Sequence, residues 1–411
     1  MSAANRHSVQ HEIALCTGTL QVRVDRSAVP LAQLCGFAAR NNPKRGFLFV
    51  SKVLGKHAPS KPEQMLAAQQ DLVAQIAPEC LRGALVIGMA ETATGLGQGV
   101  FEAALKTPHA PGLYLQTTRY PLDHAEQIEF EEPHSHAVQQ FLYMPETPSL
   151  RQCFDAARCV LLVDDEISTG QTLANLVVAL RKKNPLIEHV VLVCLTDFSE
   201  GAAEQRLRAL PGIQSVTTAA LLQGAFHFAR ELTYSAHAPA PAFAPMACRR
   251  GYLSAYSARL GIAAAINLPQ SMLEACVALA KNDLSRRILV LGTGELMHPA
   301  YCLAQALNDL GFETWVQSST RSPILVGLDI TRCIGVPDPY REGIANYLYN
   351  FYPDHFDAVF VVHETPRNAE LLALCQTVHA HSVSLLDENV LSIEQISAAL
   401  AARLTSTNTH A

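Results

Sequence analysis

Two adjacent carboxylates at the end of an apolar run are the residues of this chain best suited to chemistry. Cys159 to Leu173 read CVLLVDDEISTGQTL, in which Val160 to Val163 lead directly into Asp164 and Asp165. The hydroxyl-rich turn Ser168, Thr169, Gly170, Gln171, Thr172 follows, and then the helical pattern LANLVVALRKK. An unbroken apolar run of this length reads as a buried parallel strand. A turn that feeds a helix start aims backbone amides at one anion of phosphate size, and the Thr hydroxyls add donors. Carboxylates beside such a site accept from vicinal hydroxyls, so the pattern suits a phosphorylated sugar.

At these residues the sequence resembles the type I phosphoribosyltransferases, whose signature for 5-phosphoribosyl-1-diphosphate (PRPP) is four apolar residues, two acids and a T-G-x-T-like turn. The resemblance implies that Asp164 and Asp165 hold the ribose 2- and 3-hydroxyls and, directly or through ligand or water, Mg2+. Ser168 to Thr172 would bind the 5-phosphate. In purine-using members the position of Ser168 is often an Asp near the base. Its absence leaves the base and the proton donor unassigned, and the pattern is closer to the orotate type.

Such a site needs a second anion loop for diphosphate. The strand pattern ALVIGM (Ala84 to Met89) runs into AETATGLGQGVFEAAL, where Gly88, Thr92, Thr94, Gly95, Gly97 and Gly99 leave amides open to a ligand. Glu91 is an acid in that loop, with orientation of an amide or reach to the metal shell as its two roles. LYLQTTRY (113–120) alternates like a strand and carries Arg119 to its end, where a guanidinium meets a diphosphate or an acid group. From Pro121 to Ala137 the periodicity vanishes, which predicts a lid that excludes water from a ribosyl cation-like transition state. His134 and His136 are the lid candidates, either as diphosphate ligands or acid-base groups or as a solvated His-x-His; a third metal ligand at credible spacing is lacking.

Upstream, AARNNPKRGFLFVSKVLGKHAP (Ala38 to Pro59) interleaves Arg40, Lys44, Arg45, Lys52, Lys56 and His57 with Phe47, Phe49 and Val50. A net charge of -6 and a pI of about 6.2 provide no basic field for nucleic acid. The stretch instead predicts a hood over the acceptor base, with Lys52, Lys56 and His57 as candidates for a local anion site. It is similar to the N-terminal stretch of one bacterial subfamily of orotate-type phosphoribosyltransferase-like proteins, in which a domain named for a Thr-Arg-Ser-Pro motif follows the transferase. That motif stands here as Thr320, Arg321, Ser322 and Pro323. The resemblance spans roughly residues 30 to 395 and implies synthesis of a nucleotide-like metabolite within tellurite-resistance-type stress operons.

The organisation agrees. With 411 residues, 49% of them hydrophobic and 17% charged, the chain can core two α/β domains. The Ala/Pro-rich stretch Ser235 to Arg250 reads as a linker, so residues 1–235 are the transferase domain with its hood and 251–411 a second, Rossmann-like α/β domain, with 236–250 between them. The first should have the type I phosphoribosyltransferase fold, a parallel sheet flanked by helices with hood and lid. The 11 cysteines are odd in number, scattered and without C-x-x-C, which argues for reduced thiols and against disulfides or zinc. The polar N-terminus shows no secretory core and no run nears the ~18 apolar residues of a membrane span, so a cytoplasmic location is expected.

The second half echoes the first. VIGMAE (86–91) recurs as VLGTGE (290–295), LYLQTTRYP (113–121) as TWVQSSTRSP (314–323), and FDAARCVLLVDDE (154–166) as FDAVFVVHET (356–365). This order suggests a degenerate repeat or convergence on one strand-loop-helix plan. The second copy lacks the acid pair and the turn, holding His363, Glu364, Thr365 and Pro366 instead. Gly292, Thr293, Gly294, Glu295, Ser319, Thr320, Arg321, Ser322, Glu364 and Thr365 would still meet at the carboxyl ends of its strands, as a pocket for a small anion. The alternative is a structural Arg321 paired with Glu295 or Glu364. The Tyr-rich segment DPYREGIANYLYNFYPDHF either closes over such a pocket or packs against it.

Two function classes follow: a Mg2+-dependent phosphoribosyltransferase working between PRPP and a nucleobase-like acceptor in either direction, or a protein that only senses PRPP or a nucleotide. Expected partners are PRPP, diphosphate and the small acceptor, with no membrane or nucleic acid, and a homodimer as the assembly where one forms.

Overall fold

The computed structural model describes residues 8–42, 45–123, 125–131, 139–231, 256–282 and 285–398. Strands β1 (Val9–Leu15) and β2 (Gly18–Ser27) pair antiparallel, and a short helix α1 (Leu31–Leu34) leads to the hairpin of β3 (Cys35–Ala39) and β4 (Phe47–Ser51). Helices α2 (Pro62–Val73) and α3 (Pro78–Leu81) precede β5 (Leu85–Gly88), α4 (Thr94–Leu105) and β6 (Leu113–Gln116). A second hairpin, β7 (Gln127–Glu131) with β8 (Gln139–Tyr143), is followed by α5 (Pro148–Ala156), β9 (Cys159–Ile167), α6 (Gln171–Lys183), β10 (His189–Asp197), α7 (Ala202–Arg208) and β11 (Ser215–Arg230).

The main sheet runs β1-β2-β11-β10-β9-β5-β6. Its five strands from β11 to β6 are parallel; β2 runs against them, and β1, antiparallel to β2, runs with them at the edge. The cause is visible in Val160 to Val163, Leu85 to Ile87 and Val190 to Leu195, which are almost wholly excluded from water: helices cover both faces, so no alternation is needed. Helix α6 presents Leu173, Ala174, Leu176, Val177 and Leu180 inward at helical spacing and ends in Arg181, Lys182 and Lys183, cations that suit its C-terminal dipole. Truncating Leu176 to Ala would cost about 2–5 kcal/mol.

The second unit contains α8 (Gln270–Asn282), β12 (Arg287–Gly292), α9 (His298–Asp309), β13 (Glu313–Ser318), the hairpin β14 (Cys333–Val336) and β15 (Asn346–Tyr349), β16 (Ala358–His363), α10 (Ala369–Val378), β17 (Ala380–Ser384) and β18 (Val390–Leu391). Its sheet runs β13-β12-β16-β17-β18, parallel except for β18. The segments that echo one another in sequence occupy corresponding places: β6-β5-β9-β10 in one sheet, β13-β12-β16-β17 in the other, with α4 and α9 after the matching strands. No described helix is long and apolar enough to cross a membrane.

The two units pack closely. Ser60 and Val316 exchange backbone hydrogen bonds of 2.9 and 2.8 Å, adding the chain after the hood to the β13 edge. A Cβ on Gly95 would lie 2.8 Å from the Met297 Cβ, so α4 and α9 approach as they do only because that position is glycine. Where the loss of periodicity predicts a lid loop, β7 and β8 form a hairpin whose Ile128 and Phe130 enter the main core. Its alternation QIEFE is short and flanked by charge, which hides it in the sequence. His134, His136, Lys44 and the Ala/Pro linker lie outside the described residues.

Candidate active site

Strand order sets the location. The chain passes from β5 to β6 on one side and later inserts β9 on the other side of β5. The loops leaving β5 and β9 therefore diverge at a switch point, where open α/β sheets bind ligands beyond their carboxyl ends. Gly88 is in register with Val163, and the Met89 amide donates to the Val163 carbonyl at 2.9 Å, so the glycine-threonine loop starts beside Asp164.

On the β9 side, the Asp165 amide donates to Asp164 Oδ1 at 2.9 Å. Burial, followed by the charge of Glu166, pushes the Asp165 carboxyl up to about 6, against the opposing pull of Asp164 and Arg45. Arg45 of the hood donates to both oxygens of Glu166 at 2.7 Å and lies 4.6 Å from the Phe47 ring centre. Between hood and sheet a small pocket is lined by Cys35, Phe49, Ser51, Asp165, Glu166 and Thr196. The hood thus faces the acids.

The turn after β9 is braced from α7. Arg206 Nε donates to the Thr169 carbonyl at 3.0 Å and its Nη1 to Gln171 Oε1 at 2.6 Å. Gly170 has φ +67°, and a Cβ there would meet the Ala203 Cβ at 2.6 Å. The residue before α6, Gly170, offers no side-chain cap, and the Gln171 amide donates a 3.3 Å bond to Thr169 Oγ1. The first turn of a helix leaves such donors for an anion. Ser168 and Thr172 flank the turn, half-buried.

The β5 loop is held from β6: the Ala90 amide donates to Thr117 Oγ1 at 2.7 Å and the Tyr114 hydroxyl to the Thr94 carbonyl at 2.8 Å. Thr92 is half-buried beside it. Glu91 is ion-paired on both oxygens, to Lys56 Nζ at 2.9 Å and to Arg321 Nε at 3.2 Å. Burial alone would raise its carboxyl, yet Lys56 and Arg321 hold it well below the usual carboxylate range. Lys56 is 1% exposed and also donates to the carbonyls of Gly294 and Ser319 and to Ser318 Oγ, at 2.9 to 3.0 Å. Its neighbour His57 is pushed down to about 3 by burial and by Lys56, hence neutral, while Lys52 caps the Ala32 carbonyl at 2.9 Å in a more exposed place. Arg45, Lys52 and Lys56 of this stretch therefore face protein acceptors.

The strand ends of the second unit meet this same loop. Arg321 joins Glu342 at 2.8 Å as well as Glu91, so its partners differ from the Glu295 and Glu364 that sequence suggests. Those two acids flank Arg259, at 3.4 and 2.5 Å. Glu295 also accepts from Thr118 Oγ1 at 2.6 Å and from the Arg119 amide at 2.9 Å, and its carbonyl from Thr94 Oγ1 at 2.9 Å. The Gly294 amide donates to Ser319 Oγ, and Gly292 is closed over by the Leu296 carbonyl, 2.2 Å from where a Cβ would sit. Thr320 Oγ1 accepts from the Ser322 amide at 3.2 Å. Tyr340 stacks on Tyr120 with ring centres 4.6 Å apart and donates to Glu364 at 2.9 Å, so the Tyr-rich segment packs into the junction. The surface expected to form a separate pocket is filled by loops of the first unit.

Sequence reasoning missed Arg206, Arg259, Tyr120, Tyr340 and Glu342. Arg206 and Arg259 stand in helix and loop stretches with no local signature; the other three lay beside motifs already singled out.

Residues 34–225 match the family model described as phosphoribosyl transferase, and residues 256–378 match the one described as the TRSP domain C-terminal to it. The chain is thus an enzyme of the phosphoribosyltransferase class. In particular, it carries a phosphoribosyl transferase domain over residues 34–225, followed by a TRSP domain over residues 256–378. Comparison with curated proteins finds no match. Similar solved structures include the adenine phosphoribosyltransferases of Trypanosoma brucei (13% identity, TM-score 0.33, 46% of this chain and 77% of that one) and Giardia lamblia (14%, 0.32, 47% and 97%). That of Rhodothermus marinus is 17% identical, with TM-score 0.30, over 47% of this chain and 96% of its own.

Proposed function

We propose that this enzyme transfers a 5-phosphoribosyl group between PRPP and a nucleobase-like acceptor, in either direction, with Mg2+. One observation carries the reading: the acid pair and open helix turn after β9 stand across the switch point from the amide-rich loop after β5. In this reading Ser168 to Thr172 bind the 5-phosphate, and Asp164 and Asp165 accept from the ribose hydroxyls. Gly88, Thr92, Thr94, Gly95 and Arg119 take the diphosphate. The C1–O bond to diphosphate breaks as the bond from C1 to an acceptor ring nitrogen forms, and that nitrogen sheds its proton. Catalysis then comes from positioning and from charge stabilisation around the departing diphosphate.

The donor set fits a hard divalent cation: Asp164 and Asp165 are adjacent carboxylates offering oxygen ligands, with Asp165 raised first by burial and then by the charge of Glu166. Mg2+ held by Asp164 and Asp165, directly or through ligand or water, would supply positive charge to the diphosphate. The acceptor is proposed to enter between hood and sheet beside Cys35, Phe49 and Ser51, where the pocket is the size of one water and the hood must part to admit a ring. The orotate-type pattern, a cytoplasmic location, a homodimer and a role in a tellurite-resistance-type stress response belong to the same proposal and rest on sequence resemblance. The test is incubation with Mg2+-PRPP and a panel of nucleobases and small ring acids. Acceptor-dependent release of diphosphate is expected; PRPP binding with no release across the panel would overturn transfer to such acceptors.

A further inference from the structure

We infer that Arg321 of the TRSP domain is a diphosphate-binding residue of the transferase site, so that the two domains build one site together. The inference rests on the PRPP reading above and adds a residue from beyond the transferase domain. Arg321 reaches across 230 positions of sequence to Glu91, on the loop after β5 that is assigned to diphosphate. An acid is electrostatically wrong for a loop that must take an anion of high charge. Here Glu91 has an evident use: together with Glu342 it holds a guanidinium at the loop while no anion is there.

The two cations on Glu91 are not equivalent. Lys56 spends its ammonium on Glu91, two carbonyls and a hydroxyl, which anchors it. Arg321 uses Nε and Nη1, while its Nη2 is buried with no partner, and the Ser322 hydroxyl beside it is likewise buried and unpartnered. Buried donors left unpaired are costly, and a guanidinium fork matches phosphate oxygens two at a time. The motif is also locked in place: the Asn41 amide of the hood donates to the Pro323 carbonyl at 3.2 Å, and the Tyr349 hydroxyl to the Ser322 carbonyl at 2.7 Å. By contrast Glu295 and Glu364 are taken up by Arg259, Thr118 and the Arg119 amide. The competing explanation is that Arg321 merely staples the domains together.

Calorimetry on the full chain separates the two, using Mg2+-PRPP, inorganic diphosphate with Mg2+, and ribose 5-phosphate as probes. Arg321→Met should weaken diphosphate and PRPP by at least about tenfold and leave ribose 5-phosphate within about twofold, because its site on the α6 turn is untouched. Arg321→Lys, which keeps the charge but loses the fork, should recover part of the loss and serves where the Met variant fails to fold. Unchanged diphosphate affinity in both variants, or equal weakening of all three probes with a fall in melting temperature, would overturn the inference. A wild-type chain that binds neither PRPP nor ribose 5-phosphate would instead refute the underlying PRPP reading, and this inference with it.

Discussion

Replacing Lys56 with Met should destabilise the junction of the two domains by about 3–5 kcal/mol, the usual cost of breaking a buried ion pair from one side. The geometry supports the upper part of the range. Lys56 is 1% exposed, so water replaces little of what is lost, and its ammonium serves Glu91 at 2.9 Å, the Gly294 and Ser319 carbonyls and Ser318 Oγ. Burial pulls its proton affinity down, with Glu91 opposing, so part of the desolvation cost of the ammonium is recovered on removal. What remains is Glu91 paired with Arg321 at 3.2 Å and within the field of Arg119, and two orphaned carbonyls at about 1–3 kcal/mol each if wholly unsolvated. The assay is urea unfolding followed at Trp315, the single tryptophan, which sits on β13 with Lys61 Nζ 3.7 Å from its ring centre across the junction. Adding Glu91→Gln to the Met variant should restore about 1–2 kcal/mol by removing the stranded carboxylate, within the range of coupled neighbours. A loss below about 1 kcal/mol at unchanged m-value would refute the view that this lysine holds the junction.

Asn at both Asp164 and Asp165 keeps the size of the acids but removes charge, and PRPP affinity should fall by at least about tenfold, roughly 1.4 kcal/mol, by calorimetry; equal affinity would defeat the ribose assignment. Gly170→Ala forces a side chain onto φ +67° and against Ala203, so it should cost more than about 1 kcal/mol in thermal unfolding and weaken ribose 5-phosphate binding. His298, buried between α9 and α4, is raised to about 10: burial opposes its charge, but Cys302 and Glu102, the latter 2.9 Å away, outweigh it. Its contribution is therefore complete below its ordinary value of 6.5 and is lost as pH rises towards 10, so wild type should lose stability across that window more steeply than His298→Gln. Parallel pH profiles for the two chains would contradict the pairing.

The PRPP-type signature was legible because it is local. An apolar run, two acids and a hydroxyl-rich turn encode strand, edge and helix start within 15 residues, and backbone chemistry at that range depends on near neighbours alone. The same holds for the strand-glycine-helix echo between the halves, which needs only contiguous segments and recurs as matching strand order in the two sheets. The β7–β8 hairpin escaped notice because two buried residues, Ile128 and Phe130, are too few to stand out among the glutamates around them. Arg321 was legible as a charged residue at a strand end, but its partner was not, since Glu91 lies 230 residues away on another domain. Lys56 looked like one cation in a basic, hood-like stretch, and only the closure of the second domain over it makes it a buried anchor. Arg259 carries no sequence signal at all, yet it neutralises two buried acids. Residue type and spacing determine which groups are available at each strand end, whereas the pairing of charges across the junction is decided by which surfaces exclude water together, and that exists only once both domains are folded against each other.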